Sequence, residues 1–179
     1  MGWLSRLFGG EDPQTKQARL RMTADLQDPR KAFVWGVVAV SYELDPAYQP
    51  EHANEAVRDW YSVKSANDIL TWTANDFGTT DSVAYNQYRL CFLARAGFGA
   101  GLLTEPQSWD LGFRHAAVLQ QHYRSWAEYG QGYLEGHLNY RRSQGDSEQQ
   151  LQQYRGSINE RLATKQRTVW VGIPWATPM

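Results

Sequence analysis

The amino-acid sequence predicts an all-α fold, a single-domain bundle of seven to eight helices with an extended C-terminal segment. Helix-start signatures recur along the chain, and apolar residues between them repeat every three or four positions. No internal repeat with a period of roughly 20–50 residues is visible. The length of 179 residues matches one domain, since a domain has about 150. We therefore expect residues 1–179 to form one helical domain.

Two Asp-Pro pairs predict the starts of the first two helices. The aspartate can accept a hydrogen bond as the N-cap, and the proline fits the next position because its missing N–H is not needed there. The pairs are Asp12-Pro13 and Asp28-Pro29, and the first helix should end near Leu26. The second helix, KAFVWGVVAVSYEL, is apolar enough to be buried. Its β-branched residues would also suit a buried strand, but its length and its Asp-Pro start favour a helix.

Three further helices are predicted in the middle of the chain. Proline breaks precede a short third helix, a serine caps the fourth and a threonine caps the fifth. These residues are Pro46, Pro50, Ser65 and Thr80. The third helix should run from Glu51 to Trp60 or Tyr61, and the fourth should end at Gly78. The fifth is apolar on nearly all sides until glycines at 97, 99 and 101 end it, and this pattern places it in the middle of the bundle.

The C-terminal third contains three helices and a tail. Thr104 with Gln107, and Ser125 with Glu128, have the spacing of a capping box and begin two of the helices. The last helix carries one apolar stripe, formed by Leu151, Tyr154, Ile158 and Leu162. The tail TKQRTVWVGIPWATPM alternates β-branched and aromatic residues and contains prolines. We expect it to be extended and held by Trp170 and Trp175.

Composition and charge exclude several classes of protein. A net charge of −1 and a pI near 6.4 provide no general attraction for a phosphate backbone, so nucleic acid is not an expected partner. No apolar run is long enough for stable membrane insertion. The start of the chain lacks a signal-peptide core, and a lone cysteine, Cys91, suits a reducing compartment. We therefore expect a cytoplasmic protein. Residues 1–11, with Trp3 and Phe8, either stay flexible or dock on the body, on a partner or weakly on a membrane surface.

The sequence predicts no cofactor, metal site or catalytic group. The histidines do not form an HExxH pair, although His115 and His122 lie seven residues apart and share a helix face. The glycines after the fifth helix lack the lysine of a phosphate-binding loop. Cys91 lies on an apolar helix face, where a thiol is usually inert. Any chemistry would depend on residues distant in the chain.

Charge is distributed unevenly along the chain. Between Glu43 and Asp81 there are eight acidic residues against two basic ones, Arg58 and Lys64. Such a segment could steer a basic partner, although its charges could equally pair with basic residues inside the fold. The candidate partner-binding residues are Glu43, Asp45, Glu51, Glu55, Asp59, Asp68 and Asp76.

Several blocks of the chain resemble a known family. They are WYSVKSANDILTWTANDFG, YNQYRLCFLARAGFGAGLLTEPQSW, HYRSWAEYGQGYLEGHLNY and a terminal IPW; the most specific positions are Ser125, Trp126, Glu128, Tyr129, Tyr133 and Gly136. Over about residues 33–175 the chain is similar to the DUF1266 family of bacterial proteins of unknown function. Where that family has Trp-Asp followed by an arginine, this chain has Tyr85, Asn86 and Arg89, so a role that needs the acid is in doubt here. The resemblance implies a helical bacterial cytosolic domain without an established activity.

These observations lead to two functional hypotheses. The first is a non-enzymatic protein-binding domain, specifically an immunity protein that occludes the active site of a cognate bacterial toxin with a basic surface. The resemblance suggests this setting, and the acidic segment would supply the surface. The alternative is a small-ligand-binding or hydrolytic domain with a polar pocket inside the bundle. The residues expected in that pocket are Asn86, Arg89, Arg95, Glu128, Tyr129 and Tyr133.

Overall fold

The computed structural model describes residues 13–74 and 82–179, and these residues form eight α-helices without a β-strand. The all-α prediction is confirmed. The helices are α1 Pro13–Asp25, α2 Pro29–Val38, α3 Pro50–Glu55, α4 Ala66–Ala74, α5 Val83–Gly99, α6 Glu105–His122, α7 Trp126–Ser143 and α8 Glu148–Thr168. A π-helical turn, Ala56–Trp60, continues α3, and 3-10 turns cover Pro46–Tyr48 and Trp170–Gly172.

Most helices begin where their capping residues predict. The Asp28 carboxylate accepts a hydrogen bond from the Arg30 N–H at 2.8 Å, and Thr104 forms a full capping box with Gln107. The start of α5 differs from the prediction, because Ser82 caps it. The expected caps Asp12 and Thr80 and the expected stop Gly78 lie outside the described residues.

The second predicted element is a buried helix and not a strand. It ends at Val38, earlier than the apolar run suggests, and the chain leaves it through a turn in which the Ser41 N–H donates to the Val38 carbonyl at 3.2 Å. The residues of this turn remain buried as far as Val40. The early end brings Ser41 and Tyr42 out of the helix and next to α5 and α7.

Helix α5 lies in the middle of the bundle, as predicted. Every residue from Ala84 to Gly97 is buried, including its two arginines. It packs most extensively against α6 and α7, and α7 packs in turn against α8. Helix α7 therefore contacts both α5 and α8.

Glycine allows α5 and α7 to approach closely. A Cβ atom on Gly136 would lie within 2.6 Å of the Ser82 side chain and would also collide with the Cβ of Tyr85. One helical turn earlier, the Gly132 carbonyl accepts a hydrogen bond from the Ser82 hydroxyl at 2.6 Å. The absence of a side chain at Gly136 thus fixes the distance between the two helices.

The last helix is longer than predicted. The sequence predicts an extended tail from Thr164, but α8 continues to Thr168. The Thr164 and Thr168 hydroxyls bond back to carbonyls of the preceding turn, and the buried Lys165 ammonium donates to the Tyr42 carbonyl at 3.3 Å and to Glu43 at 2.7 Å. These contacts outweigh the strand preference of the threonines.

Indole N–H groups hold the C-terminal segment after α8, as predicted for Trp170 and Trp175. Trp170 donates to the Gly36 carbonyl at 2.8 Å, and Trp175 donates to the Tyr123 carbonyl at 2.9 Å. Trp126 stacks on Trp170 and donates to the Ile173 carbonyl at 2.7 Å. The Trp126 side chain therefore joins α7 to the tail. Within residues 13–74 and 82–179, no helix combines the length and apolar character needed to cross a bilayer.

Candidate functional site

A cavity of about 380 Å³ lies between α5, α7 and α8. The short segments that follow α2 and α3 complete its wall. Its described lining is dominated by tyrosine, with seven of these residues, and includes two arginines and one histidine. A volume of this size lies at the lower end of the range for small-molecule sites, roughly 300–1,000 Å³.

Each long helix contributes one face to the cavity. From α5 come Tyr85, Tyr88, Arg89 and Phe92; from α7, Tyr133, His137 and Tyr140; and from α8, Tyr154, Ser157, Ile158 and Arg161. Each set follows the three-, four- and seven-residue spacing that places side chains on one side of a helix. The close approach at Gly136 brings the α5 and α7 faces together.

The remaining wall comes from two short segments. Ser41 and Tyr42 follow the early end of α2, and Trp60 and Tyr61 come from the π-helical turn and the residue after it. Turns of this kind often occur at functional sites. The next residue, Ser62, has a left-handed φ of 54°, an uncommon conformation for serine. The Trp60 side chain is half exposed and forms part of the cavity rim.

The Arg89 guanidinium is surrounded by aromatic rings. It lies 5.3 Å from the ring centres of Tyr61 and Tyr140 and 5.9 Å from that of Tyr85. Arginine interacts favourably with ring faces at these distances. Arg89 therefore adds a positive charge to the α5 wall of the cavity. Although aromatic rings line this part of the cavity, the charge does not favour a cationic ligand there.

The tyrosine hydroxyls are neutral hydrogen-bonding groups. Ser41 Oγ and the Tyr133 hydroxyl share a hydrogen bond of 2.6 Å. Burial raises the pKa of Tyr42, Tyr85 and Tyr133 above the ordinary value of 10. At neutral pH these phenols keep their protons, so they can donate to a ligand but do not act as strong bases.

His137 is also neutral at physiological pH. Burial, assisted by the positive charges of Arg141 and Arg161, lowers the pKa of its imidazole from 6.5 to about 4. Asp146 acts in the opposite direction, but its effect is smaller. The positive charge in the cavity at pH 7 therefore comes from the arginines.

Arg161 completes the electrostatics of the cavity. Its side chain is half-buried, and among the residues that the structure describes it has no ion-pair or hydrogen-bond partner. None of the described lining residues carries a carboxylate. Because no protein carboxylate compensates the half-buried positive charge of Arg161, this position favours an anionic ligand.

The structure brings together only two of the six predicted pocket residues. Arg89 and Tyr133 line the cavity. Tyr129 is fully buried and donates to the Val37 carbonyl at 2.8 Å, and Asn86 is buried outside the described lining. Glu128 lies at the surface, where its carboxylate accepts from the Arg124 N–H at 2.7 Å. These residues have structural contacts instead of a place in the pocket.

Arg95, the other predicted pocket residue, lies in a separate buried cluster. Its Nε donates to Asp45 at 2.9 Å and its Nη1 to the Ser108 hydroxyl at 3.1 Å. The guanidinium also lies 3.4 Å from the ring centre of Trp109. The Nη2 atom has no hydrogen-bond partner among the described residues and lies 4.0 Å from the Asp25 carboxylate. Arg95 is therefore held inside the protein by this cluster and does not line the cavity.

The residues of the predicted acidic surface differ in burial and in pairing. Asp45 is buried against Arg95, Glu43 pairs with Lys165, and Asp59 pairs with Arg58. Asp68 accepts hydrogen bonds from the backbone N–H groups at the start of α4. Asp76 lies outside the described residues, and Glu51 and Glu55 are exposed on α3. The partner-binding role of this segment stays a prediction, but Asp45 is not on its surface.

Other predicted features also have definite positions. In the described parts of the chain, no group of three or more potential ligand side chains could hold a metal ion. His115 is buried with its Nδ1 2.8 Å from Gln87, whereas His122 is exposed, with its Nδ1 2.9 Å from the Val118 carbonyl. Burial raises the pKa of the Cys91 thiol, in agreement with an unreactive side chain. Residues 1–11, with Trp3 and Phe8, lie outside the described part.

Most of the cavity lining lies outside the predicted site residues. The cavity is also lined by residues that the sequence does not predict as site residues, among them His137, Tyr140, Arg161, Tyr42 and Trp60. The sequence contains one pattern that indicates the cavity. In α7 and α8, polar and aromatic residues share a helix face that usually carries aliphatic side chains when it packs in a core.

Comparison with known proteins identifies the family without giving an activity. No curated protein and no solved structure matches the chain. A family model described as a protein of unknown function matches residues 3–175, and thus begins earlier than the expected similarity at residue 33. The residues that carry the resemblance have clear structural roles: Trp126 anchors the tail, and Gly136 sets the distance between two cavity walls. With nearly its whole length matched, the chain belongs to the DUF1266 family.

Proposed function

We propose that this protein is a small-ligand-binding domain whose cavity takes a compact organic anion. The observation that carries the proposal is the cavity of about 380 Å³, with two arginines and no carboxylate in its described lining. Tyrosine hydroxyls supply neutral hydrogen-bond donors, and their rings supply apolar contact area. This combination suits a ligand that has a charged group and an apolar body.

The protonation states favour binding over catalysis. Burial keeps the phenols protonated, and His137, with a pKa of about 4, is neutral at pH 7. General acid–base catalysis works best when a group has a pKa near the operating pH. The described cavity is therefore better suited to hold an anion than to move a proton.

Calorimetric titration with phenyl phosphate tests this function. We expect saturable binding of one equivalent and a loss of about tenfold or more in affinity in Arg161→Met, since a charge-assisted hydrogen bond is removed. Arg167→Met is the matched control, because Arg167 is exposed on the same helix and does not line the cavity. The proposal would be contradicted if phenyl phosphate, benzoate and inorganic phosphate all failed to bind. It would also be contradicted if these anions bound Arg161→Met and Arg167→Met with equal affinity.

A toxin-neutralising interface is the second proposal. Glu51 and Glu55 lie four residues apart on α3, both are exposed, and neither has an ion-pair partner in the described part of the chain. Such residues could meet a basic partner. Coexpression with a toxin encoded next to this gene tests the idea. The double change Glu51→Lys and Glu55→Lys should abolish protection if this surface acts, and unchanged protection would exclude the surface.

A further inference from the structure

Four aromatic residues surround Phe92 at one side of the cavity. Tyr42 stacks on Phe92 with a centroid distance of 4.9 Å and an angle of 16° between planes, and Trp60 follows at 6.1 Å and 18°. Tyr61 and Tyr88 lie at 6.1 and 6.4 Å, tilted by less than 30°. All five line the cavity. We call Phe92 and these four residues the Phe92 ring cluster, and its nearly parallel planes can accept another flat ring.

Trp60 gives this cluster a surface that a ligand can reach. Its side chain is 50% exposed although an indole of this size is usually mostly buried. The indole lies nearly parallel to the Phe92 ring at 6.1 Å and makes an edge contact with the His52 ring at 5.3 Å. A half-exposed indole that packs against two neighbouring rings can stack a planar ligand group.

The cationic group lines the same cavity as this cluster. Arg161 and Tyr42, the residue that stacks most closely on Phe92, both belong to its wall. The positive charge of Arg161 also lowers the pKa of Tyr42 and Tyr133, against the larger effect of burial. The hydroxyls of Tyr85 and Tyr140 have no hydrogen-bond partner among the described residues, and both line the cavity. Arginine and free phenols together match the several acceptor oxygens of a phosphate.

From this arrangement we propose that the ligand is a nucleoside monophosphate, with its base on the Phe92 ring cluster and its phosphate on Arg161. The inference rests on the proposed function and specifies the class of anion. A cavity of about 380 Å³ is large enough for a molecule of this size. The tyrosine hydroxyls of the cavity wall supply partners for the sugar hydroxyls.

The experiment compares AMP with its two halves, adenosine and ribose 5-phosphate, in calorimetric titrations of the full chain. We expect AMP to bind about tenfold more tightly than either half, because each half lacks one of the two contacts. Trp60→Ala should weaken AMP binding by about tenfold and leave ribose 5-phosphate binding unchanged, since stacking on an aromatic ring is lost. Trp60→Phe should restore part of the affinity.

The control is Leu70→Ala, which removes another half-exposed apolar side chain that does not line the cavity. This variant should bind AMP like the unmodified protein. Equal affinity for AMP and ribose 5-phosphate, or an AMP affinity that is insensitive to Trp60→Ala, would overturn the proposed stacking of the base on the Phe92 ring cluster. Binding of phenyl phosphate without AMP would overturn the nucleotide class and leave the proposed function intact. If AMP, phenyl phosphate, benzoate and inorganic phosphate all failed to bind, the result would contradict both the nucleotide proposal and the proposed function.

Discussion

Arg95 and Asp45 form a buried ion pair, with Nε 2.9 Å from Oδ2 and neither side chain reaching solvent. The pair joins the middle of α5 to the turn before α3. Removal of one partner from a buried pair leaves the other charge without compensation, and this is more costly than the loss of a surface pair. The contact thus makes Asp45 a structural residue, although it belongs to an acidic segment.

Asp45→Ala should lower the free energy of unfolding by about 3–5 kcal/mol, because the buried guanidinium of Arg95 loses its hydrogen-bonded carboxylate and keeps only the more distant Asp25, at 4.0 Å. Urea unfolding followed by circular dichroism measures the change. Glu55→Ala is the control, since Glu55 is exposed, and it should change stability by less than about 0.5 kcal/mol. Similar stabilities of the two variants would show that the buried pair is not formed in solution.

Gly136→Ala should destabilise the protein by about 1–3 kcal/mol, because the new methyl group collides with Ser82 and Tyr85 and forces α5 and α7 apart. Gly156→Ala in α8 provides a contrast. A Cβ there meets no atom within 4 Å, so the change should stabilise the helix by about 0.5–1 kcal/mol. Thermal unfolding of both variants measures the difference. Equal effects of the two changes would contradict the close helix contact.

The stability of the protein should depend on His137 between pH 6.5 and 4. The folded-state pKa of about 4 is below the unfolded value of 6.5, so the unfolded chain binds a proton more readily in this range. The contribution of the neutral ring is complete above pH 6.5 and is lost as the pH falls towards 4. The difference in free energy of unfolding between the unmodified protein and His137→Gln should shrink by about 1–2 kcal/mol across this interval. This is less than the full pKa shift implies, because solvent near the ring screens part of the effect.

Urea unfolding of both proteins at a series of pH values measures this difference. The subtraction removes the titration of the carboxylates that the two proteins share. A difference that stays constant from pH 7 to pH 4 would show that the His137 imidazole is not held in its neutral form by burial.

Local features of this fold were predictable from the sequence, and the site mostly was not. Helix starts at Asp28, Thr104 and Ser125 depend on contacts over three or four residues, which the sequence displays directly. The two arginines of α5 show the limit. Arg89 and Arg95 both interrupt an apolar helix, but one faces the cavity and the other faces Asp45. Which of them lines a site depends on neighbours from distant parts of the chain.

The last helix shows the same limit in another form. The three- and four-residue spacing predicts one apolar stripe of Leu151, Tyr154, Ile158 and Leu162, and in the structure all four pack in or against the core. Periodicity identifies the inward face of α8, but it does not reveal that Arg161 and two stripe residues border a cavity while the rest pack in the core. That distinction requires the positions of α5 and α7.

A crystal structure of the protein soaked with phenyl phosphate would show whether the cavity binds an organic anion. We expect density for the ligand inside the cavity, with phosphate oxygens about 2.7–3.0 Å from the Arg161 guanidinium and the phenyl ring against the Phe92 ring cluster. An empty cavity at saturating phenyl phosphate, or a ligand bound only elsewhere on the protein, would contradict it.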